Sequence, residues 1–177
     1  MQPGTDALTV VLDTIVADRG ATTMILALMS DDDVDAILDD PNTAIGSDQL
    51  GVVSPEARVH PRAYGSFVRF LGRYVRDLGR LDLVTAIHRM TGLPAGILGL
   101  TDRGTIAVGA VADIVVFDPA AIGDAATYAA PTLPPLGVEA VLLGGRIAVE
   151  RGRPVDVGLG RVLRRTVSGP RPTRRSR

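Results

Sequence analysis

The sequence predicts an α/β protein in two parts. Before about residue 99, segments with apolar residues at the helical period alternate with short apolar runs, a pattern typical of a parallel sheet. From Leu100 onward, short apolar runs are separated by glycines and by Asp118-Pro119, which favours strands and turns. Gly144-Gly145 stands between two of these runs and indicates a hairpin, because a tight primed turn needs positive φ at both positions.

The chain opens on a predicted helix over about residues 6–18, with its apolar side chains on one face. Gly20 follows as the expected C-terminal cap. The run 22–29 is short, apolar and rich in Thr and Ile, so it suits a strand covered on both faces. We expect the chain to open directly on this helix, with no strand of its own leading into it.

A second helix is predicted after Ser30, which offers an N-cap. Asp31-Asp32-Asp33 place negative charge in its first turn, where it favours the helix, and Pro41 stops it. Residues 42–47 then form the next predicted strand. Helix, strand, helix and strand in this order indicate parallel strands joined by right-handed crossovers.

Two further helices precede the β-rich part. One is predicted over Tyr64–Leu78, and Asp82 caps another. The buried stripe predicted for the second comprises Leu83, Val84, Ile87 and Met90. His88 lies on the same helix and is predicted to be a surface residue, since it has no partner at the spacing that a metal site requires.

In the β-rich part, four short strands are predicted, with residues 120–137 as a loop that crosses the sheet. The predicted strands are Thr105–Val108, Ile114–Phe117, Val138–Leu143 and Arg146–Glu150. Residues 161–177 carry seven arginines without interleaved aromatic residues, which favours a solvated tail over a nucleic-acid-binding arm. We expect residues 166–177 to be disordered.

Composition excludes several kinds of chemistry. All 19 basic residues are arginine, so a Walker-type phosphate loop and a lysine Schiff base are excluded. The absence of cysteine removes disulfides, thiol catalysis and cysteine-ligated zinc. A net charge of −1 gives no reason to expect nucleic acid or membrane partners, and no targeting or membrane-spanning segment is evident. We expect a cytoplasmic protein.

Asp48 is the first candidate site residue, because it follows the predicted strand 42–47. Catalytic groups of α/β barrels lie at the carboxyl ends of strands, where the loops form the mouth of the site. Taken locally, a Ser-Asp pair after a strand is also typical of a turn or cap. His60-Pro61-Arg62 follow twelve residues later and supply two more candidates, His60 and Arg62.

Several motifs, in order along residues 5–165, closely resemble the D-aminoacylase (N-acyl-D-amino-acid deacylase) group of the amidohydrolase superfamily. The most specific are Ile45-Gly46-Ser47-Asp48, His60-Pro61-Arg62-Ala63-Tyr64-Gly65, Leu71-Gly72-Arg73-Tyr74-Val75-Arg76, Met90-Thr91-Gly92-Leu93-Pro94-Ala95 and Leu100-Thr101-Asp102-Arg103-Gly104. Gly104-Thr105-Ile106, Gly109 and Ala112-Asp113-Ile114-Val115-Val116-Phe117-Asp118 resemble the wider superfamily's return into a small β-sandwich.

This resemblance implies a metal-dependent hydrolase with a (β/α)8 barrel and a β-sandwich made from both chain ends. Because 177 residues are too few for a barrel, which usually needs at least about 200, we expect an incomplete one. Residues 1–99 correspond to its last βα units, residues 100–165 to part of the sandwich, and residues 166–177 to the tail.

The resemblance also implies roles for the three candidates. Asp48 corresponds to the family's catalytic acid/base, which takes a proton from a zinc-activated water and returns it to the leaving amine. Arg62 corresponds to the arginine that grips the substrate carboxylate in a fork-to-fork pair. His60 is assigned to substrate binding together with Arg62, by shaping the mouth of the site, or it only braces the loop.

The departures from the family pattern concern the metal. The family's His-x-His, cysteine and later histidine ligands have no counterparts here, since the chain has only His60 and His88 and no cysteine. Asp48 is a possible ligand, but one aspartate does not hold a catalytic zinc that needs about three protein ligands. Gln49 also stands where the family usually has glycine.

We therefore predict the C-terminal portion of a zinc-dependent hydrolase that acts on non-peptide C–N bonds, most specifically those of N-acyl-D-amino acids. Alone, the chain is expected to bind no zinc and to be inactive, and the missing N-terminal half of the enzyme is its expected partner. Two alternatives stay open: a non-catalytic assembly or binding module derived from the sandwich, and a fragment of a dihydroorotase- or hydantoinase-like cyclic amidase.

Overall fold

The computed structural model describes residues 6–21, 28–49 and 59–163, and the chain forms two compact units, residues 1–34 and 35–177. The helices of the described part are α1 (Ala7–Asp18), α2 (Asp31–Asp39), α3 (Arg62–Arg69), a π-helix (Phe70–Asp77) that continues α3, α4 (Leu83–Met90) and α5 (Gly92–Leu98). Its strands are β1 (Ile114–Phe117), β2 (Val138–Leu143), β3 (Arg146–Glu150) and β4 (Arg153–Pro154). None of these helices is long and apolar enough to cross a membrane.

Helix α1 confirms the first predicted helix, and local interactions define both of its ends. The Asp6 side chain accepts a hydrogen bond from the backbone N–H of Leu8 at 2.8 Å, as an N-cap does. At the other end, Arg19 and Gly20 both adopt left-handed conformations, with φ of 57° and 76°. The Gly20 N–H donates to the Ile15 carbonyl at 2.9 Å and satisfies one of the last carbonyls.

Helix α2 also forms where the sequence predicts it, and Ser30 caps it. The Ser30 hydroxyl accepts from the Asp33 N–H at 3.1 Å, and the Asp33 carboxylate accepts from the Ser30 N–H at 3.2 Å. This reciprocal pair is the aspartate form of a capping box. The hydrogen bonds from Ser30 lower the pKa of Asp33, because they stabilise its ionised form.

The strand predicted for residues 42–47 is wrong in this structure. The segment has no regular secondary structure, and the Ile45 N–H donates to the backbone carbonyl of Arg89 at 3.0 Å. A strand requires a neighbouring strand for its ladder, and within the described residues none lies beside this segment. The prediction for residues 22–29 lies largely outside the described residues, and that for the tail at 166–177 lies wholly outside them.

Helix α3 and the π-helix confirm the helix predicted over Tyr64–Leu78, although it begins earlier, at Arg62, and its second half is a π-helix. This stretch contributes most of the core of the second unit. The fully or nearly buried apolar residues of that core are Val68, Phe70, Leu71, Ala86 and Ile122. Ile122 comes from the loop after β1, so the core joins the helices to the β-rich part.

The buried face of α4 differs from the predicted stripe. Val84 is 80% exposed, whereas Ala86 and Arg89 are buried. Both Leu83 and Met90 are half-buried, so the apolar face is rotated toward Ala86. His88 is exposed, as predicted.

The β-rich part is an antiparallel sheet in the order β1-β2-β3-β4. The predicted hairpin at Gly144-Gly145 is confirmed, with φ of 57° and 81° and with Leu143 opposite Arg146. The predicted strand Thr105–Val108 is wrong: this segment is irregular, and its Ile106 side chain is 90% exposed. Its apolar run has no strand partner among the described residues, while β4 was missed because it is only two residues long.

Candidate active site

Asp48 lies near the end of the irregular segment that follows α2. Its backbone is left-handed, with a φ of 50°, which only a few per cent of residues other than glycine adopt. Its side chain is 91% exposed, and its Oδ2 lies 3.1 Å from Nη1 of Arg62. Aspartate tolerates this conformation better than most residues and adopts it in turns, so the φ value shows where the chain turns and does not by itself indicate a function.

Arg62 is the first residue of α3, and its guanidinium makes the contact with Asp48. Its side chain is 42% exposed, so water screens the ion pair, and exposed pairs of this kind contribute about 0–1 kcal/mol to stability. The structure thus brings together the two residues that the sequence predicts for the site. The catalytic role of Asp48 and the substrate-binding role of Arg62 stay predictions.

His60 is held at both ring nitrogens. Its Nδ1 accepts the backbone N–H of Arg62 at 3.0 Å, so the neutral ring carries its proton on Nε2. That nitrogen lies 3.4 Å from Oη of Tyr128, which is positioned to accept the proton, and the two rings meet edge to face with centroids 5.3 Å apart. Partial burial lowers the pKa of His60, and the positive charge of Arg62 lowers it further.

Tyr128 is a neighbour of the site that the sequence did not reveal. It is a lone aromatic residue in the Ala- and Pro-rich loop that follows β1, and nothing in its local pattern distinguishes it. The loop is fixed by a bridge between Gly123 and Leu136 and by the hydroxyl of Thr127, which accepts the Ala130 N–H at 3.0 Å. Contact with a residue 68 positions earlier arises only in the tertiary structure.

The residues that the structure describes do not fit a zinc centre. In the described part, no three His, Cys, Asp or Glu side chains lie close enough together to hold a metal ion. The Asp48 carboxylate is paired with the Arg62 guanidinium, whose positive charge repels a cation. A catalytic zinc needs about three protein ligands, and these would have to come from outside the residues described.

A large apolar cleft lies between the helices and the sheet of the second unit. Its volume is about 860 Å³, and Phe67, Leu71 and Met90 line its helical side. Val115 and Val141 line its sheet side. A close-packed interior leaves few voids larger than a water molecule, so this unit leaves apolar surface uncovered between its two layers.

Two arginine–aspartate contacts organise the turn before the sheet. The Arg103 side chain pairs with the carboxylates of Asp102 and Asp113. Asp113 also accepts the backbone N–H of Gly144 at 2.9 Å, which ties the turn to the β2–β3 hairpin. These motif residues therefore have a structural role here, and the contact with Arg103 lowers the pKa of Asp102.

Comparison with known proteins identifies the family. Residues 1–149 match the amidohydrolase family model. An N-acyl-D-glutamate deacylase from Alcaligenes xylosoxydans xylosoxydans is 46% identical over 140 residues, which are 79% of this chain and 28% of that protein. A D-aminoacylase from the same organism is 39% identical over 168 residues, which are 89% of this chain and 34% of that protein. Two dihydroorotases match over only 42 residues.

Solved structures give the same result. A crystal structure of D-aminoacylase has a TM-score of 0.67 and 44% identity, covering 71% of this chain and 26% of its own. The N-acyl-D-glutamate deacylase of Bordetella bronchiseptica, in complex with zinc and a phosphonate inhibitor, has a TM-score of 0.65 at the same identity, covering 71% of this chain and 27% of its own. The chain thus spans about a quarter to a third of the length of these relatives. It belongs to the amidohydrolase family and resembles the family's N-acyl-D-amino-acid deacylases.

Proposed function

We propose that this chain is the C-terminal portion of an N-acyl-D-amino-acid deacylase. The Asp48–Arg62 pair is the observation that carries the proposal, because it presents an acid/base group and a carboxylate-binding group 3.1 Å apart on an exposed surface. The metal ligands come from the rest of the enzyme, since this chain has two histidines and no cysteine. The names of the relatives support the substrate class.

Asp48 acts as the acid/base in this proposal. An exposed carboxylate such as this one, which pairs with Arg62, accepts a proton from an attacking water and passes it to the leaving amine. The left-handed backbone at Asp48 turns the chain at the point where the carboxylate is presented. A residue in this position does not need to hold a metal to perform the transfer.

Arg62 binds the α-carboxylate that all N-acyl-amino acids share. A guanidinium pairs with a carboxylate through two parallel hydrogen bonds, and one Nη of Arg62 already contacts a carboxylate oxygen, Oδ2 of Asp48. His60 accepts the backbone N–H of Arg62 and contacts Tyr128, so it braces the start of α3. We assign substrate binding to Arg62 and a supporting role to His60.

The proposal extends to the domain organisation. Residues 1–99 would complete a barrel as its last βα units, residues 100–165 would form part of a sandwich, and residues 166–177 would be a tail. The apolar cleft of about 860 Å³ and the exposed apolar face of α1 support an incomplete assembly, since both leave apolar surface uncovered. The missing N-terminal part of the enzyme is the proposed partner.

The first test measures the purified 177-residue chain for zinc content and for hydrolysis of N-acetyl-D-amino acids. We expect neither bound zinc nor turnover. Stoichiometric zinc together with turnover that is lost in Asp48→Ala would overturn the proposal that the chain is a fragment.

The second test supplies the missing ligands by replacing the matching segment of the Alcaligenes D-aminoacylase with this chain. We expect the hybrid enzyme to bind zinc and to hydrolyse N-acetyl-D-amino acids. Asp48→Asn should lower kcat by about 100-fold or more, since positioned acid/base groups contribute on the order of 10²–10⁴-fold. Arg62→Ala should mainly raise KM.

Arg69→Ala is the matched control, because Arg69 lies on the same helix and pairs with Asp124 at 3.1 Å, the same distance as in the Asp48–Arg62 pair. It should leave kcat and KM nearly unchanged. A folded, zinc-loaded hybrid without turnover would contradict the proposed function and favour a non-catalytic module.

The short dihydroorotase matches, at 57% and 60% identity over 42 residues, keep a cyclic amidase as the second candidate. The same hybrid decides between the two activities when it is assayed with dihydroorotate and with N-acetyl-D-amino acids. Turnover of the cyclic amide alone would favour the second candidate.

A further inference from the structure

Arg89 on α4 is only 3% exposed, yet within the described part of the chain no carboxylate pairs with it. Unsatisfied donors in the interior are costly, and within the described residues Nε and Nη1 of Arg89 have hydrogen-bond partners whereas its buried Nη2 has none. Its partners are therefore informative about what it does. All of them are backbone carbonyls or an aromatic ring.

The side chain of Arg89 donates hydrogen bonds to the segment that precedes Asp48. Its Nε donates to the Thr43 carbonyl at 2.8 Å, and its Nη1 donates to the Leu38 carbonyl at 2.5 Å. Its own backbone carbonyl accepts the N–H of Ile45 at 3.0 Å. The guanidinium carbon also lies 5.8 Å from the centre of the Phe70 ring, within the range of a cation–π contact.

These contacts bracket the turn at Pro41. Leu38 lies in the last turn of α2, whose carbonyls have no partner within the helix and attract a positive charge. Thr43 and Ile45 lie beyond the turn, in the irregular segment that has no strand beside it among the described residues. The Arg89 side chain thus donates hydrogen bonds to carbonyls on both sides of the turn. These bonds hold a segment that, within the described part of the chain, has no β-ladder to hold it.

We propose that Arg89 is a positioning residue for Asp48. This inference rests on the proposed function, because it assigns the role of Asp48 in catalysis. Arg89 does not touch Asp48; it fixes the backbone up to Ile45, three residues before the carboxylate. Helix α4 provides a rigid base, since Ala86 is completely buried and Asp82 caps the helix through the N–H of Thr85 at 2.9 Å.

The geometry requires arginine rather than any cation. Two carbonyls from different segments are reached by two different nitrogens of one planar group, whose central carbon lies over the Phe70 ring. Lysine would keep the charge but replace this fork by a single nitrogen. Arg89→Lys is therefore the discriminating variant, and Arg89→Met removes every donor.

Hydrogen exchange on the full 177-residue chain tests the positioning directly. In Arg89→Lys and Arg89→Met, we expect the Ile45 amide to exchange about tenfold faster or more, because local opening of this segment becomes easier. The π-helix should keep its protection. Arg103→Lys is the control: this arginine is also mostly buried, but its partners Asp102 and Asp113 lie before the sheet.

Unchanged exchange at Ile45 in the lysine variant would overturn the inference. So would equally faster exchange throughout the second unit, which would indicate a general loss of stability. If Arg89→Met fails to fold, the lysine variant still decides. These outcomes do not depend on activity, so they stand even where the proposed function fails.

Kinetics of the hybrid enzyme supply a readout that a merely structural role would not give. Arg89→Lys should lower kcat by about 10- to 100-fold, as a displacement of about 1 Å can do, while KM stays within about twofold because Arg62 is held separately by α3. A rise in KM with kcat unchanged would contradict a role in positioning Asp48.

Discussion

Helix α1 and the stretch formed by α3 and the π-helix are both predicted from apolar residues at helical spacing, but they differ in burial. In α1, Leu12 is 52% exposed and Ile15 is 48% exposed. In the π-helix, Phe70 is 3% exposed and Leu71 is 5% exposed. Apolar periodicity therefore predicts the helix and its apolar face, while burial depends on the presence of a second element against that face.

The comparison also separates local from tertiary stabilisation. Helix α1 has an aspartate cap and a left-handed end, but no buried residue. The π-helix has no side-chain cap, yet three of its residues are buried against α4 and the loop at Ile122. Packing, rather than capping, should therefore dominate the energetics of the second unit.

Core truncation should give the largest difference between the two helices. Phe70→Ala removes a ring that is packed against Tyr74 and Arg89, and such truncations cost about 3–5 kcal/mol. Leu12→Ala in α1 should change the free energy of unfolding by only about 0.5 kcal/mol, as exposed substitutions do. Urea unfolding followed by circular dichroism measures both, and equal effects would contradict the comparison.

Glycine substitutions should give a smaller difference, of opposite sign. A Cβ on Gly72 of the π-helix would lie 2.6 Å from the Ile122 carbonyl oxygen, so Gly72→Ala should destabilise by about 1–3 kcal/mol. A Cβ on Gly96 of α5 would have no neighbour within 4 Å, so Gly96→Ala should stabilise by up to about 1 kcal/mol. Thermal or urea unfolding distinguishes the two variants. If both substitutions destabilise the protein, the short distance from Gly72 to the Ile122 carbonyl is not the cause of the effect.

The smallest effect concerns pH. Burial and Arg62 lower the pKa of His60 in the folded chain, so the unfolded chain binds more protons. The contribution of neutral His60 is fully present above the unfolded pKa of about 6.5 and is lost as pH falls through the lowered folded pKa. His60→Gln should flatten the pH dependence of the urea midpoint between about pH 5 and 7.5, near the range in which histidine titrates. Tyr128→Phe keeps the ring contact, so it should change the pH dependence of the urea midpoint less. If His60→Gln leaves that pH dependence unchanged, another titrating group causes it.

The candidate site was predicted in part. The motifs identified Asp48, His60 and Arg62, and the structure places them together. Tyr128 and Arg89 were missed, because each acts on residues more than 40 positions away and neither has a local signal. The strand at 42–47 was wrong for the same reason: its apolar pattern is local, but a ladder requires a neighbour.

The sequence by itself determined the features that depend on neighbouring residues: the ends of α1 and α2, the cap at Asp82 and the turn at Gly144-Gly145. Their hydrogen bonds and torsion angles span only a few residues, so local chemistry is sufficient. The tertiary structure alone decided which apolar faces are buried and how the segment before Asp48 is held. Both depend on contacts between distant parts of the chain, such as the hydrogen bond from Arg89 to Thr43, which lies 46 positions earlier.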